Sequence, residues 1–106
     1  MGRTRQKGPQ TQLRRAVGTN LRRARLLTGV TQEQLSEASG VDRTYIGAIE
    51  RGEANWSCDV LASIAAALKV EPCVLLMGPD EAGKHLAETL FTAPDAPRGS
   101  RVRISR

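Results

Sequence analysis

The residue types that most often perform chemistry are sparse in this sequence and are not grouped. The two cysteines, Cys58 and Cys73, and the single histidine, His85, do not follow the spacing of a metal site. The sequence also shows no paired carboxylates on one helix face and no glycine-rich phosphate loop. We therefore expect neither an enzyme nor a bound metal or other cofactor. We expect both cysteines to be reduced, buried side chains.

Positive charge is concentrated at the two ends of the chain. The net charge is +5, and residues 1–28 hold eight of the sixteen basic residues and no acid. Residues 98–106 hold four more, whereas all eleven acidic residues lie between these two ends. Basic arms on a body of opposite sign suit a polyanionic partner. The alternative is a solvated tail that binds nothing.

The spacing of apolar residues predicts an all-α chain with four segments. We expect a flexible basic arm over residues 1–11, a helical domain over 12–78, an extra helix or dimerisation segment over 79–92, and a disordered basic tail over 93–106. Aromatic residues make up only 3% of the chain, so the core should be aliphatic. No apolar run approaches the ~20 residues of a membrane span, which favours a cytoplasmic location.

A first helix is predicted from about residue 11 or 12 to Leu27, ended by Gly29. Its inner face should carry four apolar residues at helical spacing: Leu13, Val17, Leu21 and Ala24. Later in the chain, Ser57 should cap a helix over 58–69, and Pro72 should open a short helix. A weaker sixth helix is predicted over 80–92.

The central unit runs from Thr31 to Gly52. Thr31 and Gln34 have the spacing of a capping box, which opens one helix. Gly40 suits the left-handed conformation of a sharp turn, and Asp42 suits the N-cap of the next helix. Two helices joined by a tight turn at this position can present the second helix to a partner.

Residues 21–77 resemble the helix-turn-helix domain of the phage repressor and Cro family, often called the XRE family. The residues that carry the resemblance are Thr31-Gln32, Leu35-Ser36, Gly40-Val41, Ile46, Ile49, Glu50-Arg51-Gly52, Asn55-Trp56-Ser57, Leu61, Ile64-Ala65 and Leu68-Lys69-Val70. The resemblance implies a five-helix bundle of the lambda-repressor-like type. Residues 43–47 followed by 50–53 are most similar to the controller proteins of restriction–modification systems, which are homodimeric regulators.

The resemblance implies that the helix near residues 42–51 enters the major groove of double-stranded DNA with its first residues at the base edges. Arg43 would contact guanine, and Thr44 would hydrogen-bond or touch a thymine methyl group. Tyr45 is the third candidate base reader, and it would stack, reach a phosphate or pack into the core. Gln32 and Asn55 would contact the DNA backbone, and Trp56 would lie at the surface near the nucleic acid.

Other residues receive supporting roles from the same resemblance. Arg25 and Glu50 would form a structural ion pair, and Gly47 and Ala48 would let the helix lie close to the DNA. Three arginines would be either solvated or in contact with the DNA backbone: Arg22, Arg23 and Arg51. The dimer interface would use apolar residues of the last helices, unless these close the core of the monomer: Val74, Leu75, Leu76, Met77, Leu86, Leu90 and Phe91.

Two functions fit these observations. The first is a sequence-specific transcriptional regulator that binds double-stranded DNA as a homodimer in the bacterial cytoplasm, at the nucleoid. The second is a protein-interaction module with the same fold, of the antitoxin or coactivator type, whose main partner is another protein.

Overall fold

The computed structural model describes residues 8–91, and this part of the chain folds into six α-helices without a strand. In chain order they are α1 (Pro9–Thr28), α2 (Gln32–Ser39), α3 (Arg43–Glu50), α4 (Cys58–Leu68), α5 (Pro72–Leu75) and α6 (Pro79–Phe91). The all-α prediction is confirmed, and the sixth helix is present. The predicted disordered tail over 93–106 lies outside the described residues, as does the arm before residue 8. Within residues 8–91, no helix is long and apolar enough to cross a membrane.

Helix α1 begins earlier than the sequence pattern predicted. Pro9 occupies its first turn, where a proline costs nothing because the N–H groups there have no partner within the helix. The end of the predicted arm is therefore helical. Leu13 was wrongly placed in the core and is 42% exposed, because the buried face of α1 starts one turn later, at Val17. At the other end, Gly29 takes the left-handed conformation predicted for it, with φ 78°.

The core is aliphatic, as predicted, and its residues come from all six helices. Its largest fully buried apolar side chains are Val17, Leu21, Leu35, Ile46, Ile49, Ile64, Leu75 and Leu86. Burying one such side chain stabilises the fold by ~1.5–3 kcal/mol. Trp56 packs half-buried against this core and keeps part of its side chain exposed.

Helix α1 is the central helix of the fold. It packs against α6, α3, α5 and α4. The same helix therefore supports both the central unit, through α3, and the last two helices, α5 and α6. Both cysteines were wrongly predicted to be buried. Cys58 is the first residue of α4 and Cys73 lies in the first turn of α5, and both thiols are free and exposed because these helix starts face solvent.

Candidate nucleic-acid interface

The start of α2 is fixed by local hydrogen bonds. The Thr31 hydroxyl accepts from the backbone N–H of Gln34 at 3.0 Å, and the Gln34 side chain accepts from the backbone N–H of Thr31 at 2.9 Å. This is the predicted capping box. Leu35, one turn later, is buried in the core and fixes the rotation of α2. Gln32 therefore stands at the first position of α2 with its orientation determined.

The turn into α3 depends on Gly40 and Asp42. Gly40 ends α2 with φ 78°, a conformation that costs other residues about 1 kcal/mol or more. The Asp42 carboxylate accepts from the backbone N–H of Thr44 at 3.0 Å and caps α3. Asp42 is therefore engaged with the backbone, as predicted for a cap.

The first turn of α3 carries two exposed polar side chains. Ile46 and Ile49 are fully buried and hold the inner side of the helix, whereas Arg43 and Thr44 are exposed. A guanidinium and a hydroxyl are thus exposed at the N-terminal end of a helix whose inner side is buried. Both groups can form the hydrogen bonds that distinguish base edges in the major groove.

Tyr45 is engaged with the protein itself. Its ring is half-buried against the core, and its hydroxyl donates to the backbone carbonyl of Asn55 at 2.6 Å. This contact ties α3 to the loop that follows it. Packing, one of the three roles considered for Tyr45, is present in the structure. Asn55 itself is an exposed residue of that loop.

An ion-pair network joins the first three helices behind the exposed turn. Arg25 Nε donates to Glu50 Oε2 at 2.7 Å, and Arg25 Nη2 donates to Glu50 Oε1 at 3.2 Å. Gln32 Nε2 also donates to Glu50 Oε1, at 3.1 Å, and Arg25 Nη1 donates to the Val30 carbonyl. The two charged side chains are only 11% and 4% exposed. The network fixes α1, α2 and the end of α3 in one arrangement.

Gly47 and Arg51 lie next to Gln32. Gly47 is buried, and a Cβ at this position would stand 3.3 Å from Arg51 Nη1 and 3.6 Å from Gln32 Oε1. Gly47 therefore lets these two longer side chains fold over the helix. Arg51 also pairs with Glu53 at 3.1 Å in an exposed contact. Ala48 is half-buried.

Arg22 and Arg23 both line one surface hollow but differ in exposure and in hydrogen bonding. Arg22 is exposed and borders a surface hollow that Glu50 also lines. Arg23 Nη1 donates to the Pro79 carbonyl at 2.7 Å and lies against Gly83 of α6. Arg23 therefore has a structural contact on the α6 side of α1 that the sequence pattern did not indicate.

The predicted dimer interface needs correction. Val74, Leu75 and Leu86 are buried in the monomer's own core, at 7%, 0% and 1% exposure, so they offer almost no surface to a second chain. Leu76 is 44% exposed and Met77 is half-buried. The side chains of Leu90 and Phe91 lie outside the described residues.

Two structurally important residues were not identified from the sequence. Asn20 is fully buried, and its Nδ2 donates to the carbonyls of Leu75 at 2.9 Å and Met77 at 2.8 Å. Gly18 lies directly against the carbonyls of Ile49 and Glu50, which leaves no space for a side chain between α1 and α3. A polar residue and a glycine on the buried face of α1 were the available signals, because either one is unfavourable there without a specific reason.

Comparisons with known proteins agree with this geometry. The helix-turn-helix family profile matches residues 21–75. A hypothetical transcription factor from Neisseria meningitidis serogroup B is 36% identical over 80 residues, which cover 76% of each chain. Control protein C.SmaI from Serratia marcescens is 39% identical over 64 residues, covering 60% of this chain and 76% of that protein.

Solved structures of transcription factors and controller proteins also resemble this chain. The Neisseria factor superposes with a TM-score of 0.65 over 74% of this chain and 90% of the other. The controller protein C.Esp1396I, crystallised as a tetramer in complex with its natural 35 base-pair operator, is 34% identical, with a TM-score of 0.58 over 70% of this chain and 93% of the other. This chain therefore belongs to the helix-turn-helix family of the XRE type, together with restriction–modification controller proteins and transcription factors.

Proposed function

We propose that this protein is a transcriptional regulator that binds a specific sequence of double-stranded DNA as a homodimer, with α3 in the major groove. The observation that supports the proposal is the exposure of polar side chains in the first turn of α3. Arg43 and Thr44 are exposed there, on a helix whose opposite side is anchored by buried Ile46 and Ile49. A rigid helix with exposed donors at its N-terminal end suits major-groove readout.

Arg43 is the principal base reader in this proposal. Its guanidinium has several donors in a planar arrangement and can bond guanine O6 and N7 together. Thr44 offers a hydroxyl and a methyl group, which suit an adjacent base pair. Tyr45 holds the following loop through its bond to the Asn55 carbonyl and is assigned a positioning role.

Gln32 binds one phosphate in this arrangement. Its Nε2 carries two hydrogens, and only one is needed for the bond to Glu50. The other remains for a phosphate oxygen. The backbone N–H groups at the first two positions of α2 are not used by the Thr31 cap, so they address the same phosphate. Arg51 and Asn55 extend this backbone contact.

Dimerisation is assigned to a smaller surface than the sequence predicted. Leu76 is exposed and Met77 half-buried beside the buried part of α5, and these two side chains form its apolar centre. A homodimer would read two half-sites about one helical turn, ~34 Å, apart. The relative C.Esp1396I binds its operator as a tetramer, which supports an oligomeric assembly on DNA. Such a regulator acts at the DNA, so we place it in the bacterial cytoplasm.

Two variants test this assignment. Arg43→Ala should weaken binding to the preferred duplex by about 1–3 kcal/mol and relax the sequence preference at one position. Gln32→Ala should weaken binding to preferred and random duplexes alike, because a phosphate contact carries no sequence information. Fluorescence anisotropy with both duplexes measures these effects, after circular dichroism has verified that each variant is folded. An unchanged sequence preference in Arg43→Ala would contradict the proposal.

A further inference from the structure

Helix α1 extends beyond the part of the chain that the family match covers. The match begins at residue 21, whereas α1 begins at Pro9. Residues 9–20 of α1 precede the residues that the family profile matches, and they contain two arginines, Arg14 and Arg15. The position of this extension relative to α3 suggests what it does.

One stripe of α1 is turned toward the end of α3. Residues 15, 18, 22 and 25 are separated by three or four positions, so they lie on one side of a helix. Gly18 contacts the carbonyls of Ile49 and Glu50, and Arg25 pairs with Glu50. Arg15 and Arg22 belong to the same stripe and thus flank the place where α1 meets α3.

Arg15 contacts Gly52, the second residue after α3. Gly52 has φ 76°, and a Cβ there would stand 3.2 Å from Arg15 Cγ and 3.4 Å from Arg15 Cα. The stem of Arg15 is thus held against the loop after α3, while the residue remains exposed. Arg22 is exposed further along the stripe, beside the hollow lined by Glu50.

The charges of Arg15 and Arg22 are not neutralised by neighbouring carboxylates. Within residues 8–91, the ion pairs are Arg25–Glu50 and Arg51–Glu53. The central unit, residues 31–52, has four acidic residues and two basic ones. A unit with this balance cannot by itself supply the positive charge that attraction to a duplex requires.

We propose that Arg15 and Arg22 form a second DNA-backbone site, which binds phosphates beside the groove that α3 enters. This inference rests on the proposed function and adds to it a backbone contact made by α1, outside the helix-turn-helix unit of α2 and α3. The site contributes affinity and salt dependence, and it carries no sequence preference because it contacts only phosphates.

The test is the salt dependence of DNA binding for Arg15→Gln and Arg22→Gln. Lys84→Gln is the matched control, since it removes the same charge from an exposed position on α6. The probe is a fluorescent duplex carrying the sequence that the wild-type protein selects from a random pool, and a scrambled duplex serves as the comparison. Binding is measured by anisotropy from about 50 to 200 mM KCl.

Each lost phosphate contact should lower the slope of log K against log salt concentration by about 0.9. The loss of affinity across that salt range should then be about 3.5-fold smaller than in the wild type. The change should be equal for both duplexes, and Lys84→Gln should keep the wild-type slope. Arg15→Lys should retain most of the slope, because a phosphate contact needs a charge more than a planar guanidinium.

Two failures can be told apart. A wild-type protein that shows no preferred duplex would overturn the proposed function and this inference together. A wild-type protein with a clear preference, combined with Arg15→Gln and Arg22→Gln variants that match Lys84→Gln in slope, would overturn only the second backbone site. Lower affinity at an unchanged slope would also count against it, since that pattern indicates an indirect effect on the fold.

Discussion

Replacing Gly18 with alanine tests how α1 positions the recognition helix. A Cβ at residue 18 would lie 2.7 Å from the Glu50 carbonyl oxygen and closer still to that of Ile49. Favourable heavy-atom separations are near ~3.5 Å, so the added atom would stand roughly 0.8 Å too close to the Glu50 oxygen. Both sides of this contact are helix backbone, so neither can move without shifting a whole helix.

The expected cost follows from two opposing contributions. Overpacking of this kind destabilises by about 1–3 kcal/mol, and the rigid backbone contact places Gly18→Ala near the upper limit. Alanine in a helix interior is better than glycine by about 1 kcal/mol. The free energy of unfolding should therefore fall by about 2 kcal/mol, which corresponds to a Tm lower by about 8–16 °C.

Urea unfolding followed by circular dichroism measures this change, and Gly83→Ala provides a matched control. A Cβ at residue 83 would meet Arg23 Nη1 at 2.5 Å, but this atom is the end of a flexible side chain. The gain in helix propensity should offset the loss of the Arg23–Pro79 hydrogen bond, about 1 kcal/mol in each case. Equal effects of the two substitutions, or a more stable Gly18→Ala, would refute the close-approach argument.

Three further substitutions test the contacts around the site. Asn20→Leu should lower the free energy of unfolding by about 2–4 kcal/mol, because the Leu75 and Met77 carbonyls lose their buried donor. Urea unfolding measures this change, and a loss below ~0.5 kcal/mol would contradict the role of Asn20. Glu50→Gln should lower the free energy of unfolding by about 3 kcal/mol, since it leaves the enclosed Arg25 guanidinium without its counter-charge. Thermal melts at two salt concentrations check this prediction, and a variant as stable as the wild type would show that the pair is dispensable. Tyr45→Phe should cost about 1 kcal/mol and keep the DNA sequence preference; an altered preference at one base pair would instead make the hydroxyl a base reader.

Capping and turn residues were well predicted from the sequence because their partners are close along the chain. The Thr31 hydroxyl and the Gln34 N–H are three residues apart, and the Asp42 carboxylate and the Thr44 N–H are two apart. Residue type and spacing are enough to identify such bonds. The same local logic located Gly29 and Gly40 at their turns.

Contacts between distant segments could not be derived in the same way. Asn20 bonds to carbonyls 55 and 57 residues away, so its partners appear only when α5 packs on α1. The same packing decides that Val74 and Leu75 close the core, whereas Leu76 remains exposed. An apolar residue in a short helix has no local feature that distinguishes these two fates.

The candidate site itself was only partly accessible from the sequence. The exposure of Arg43 and Thr44 follows from the N-cap at Asp42 and the helical period. The hydrogen bond from the Tyr45 hydroxyl to the Asn55 carbonyl could not be derived in this way, because it joins α3 to the following loop. Likewise, the contact of Arg15 with Gly52 depends on how closely α1 approaches the end of α3, and Gly18 permits that approach.

Selection of bound sequences from a random duplex pool, at about 150 mM salt, tests the central claim most directly. The account predicts one enriched sequence, arranged as an inverted repeat with half-sites about one helical turn apart. In a parallel selection, Arg43→Ala should lose the enrichment at one base pair of each half-site while keeping the rest. A wild-type pool without any enriched sequence would contradict the account.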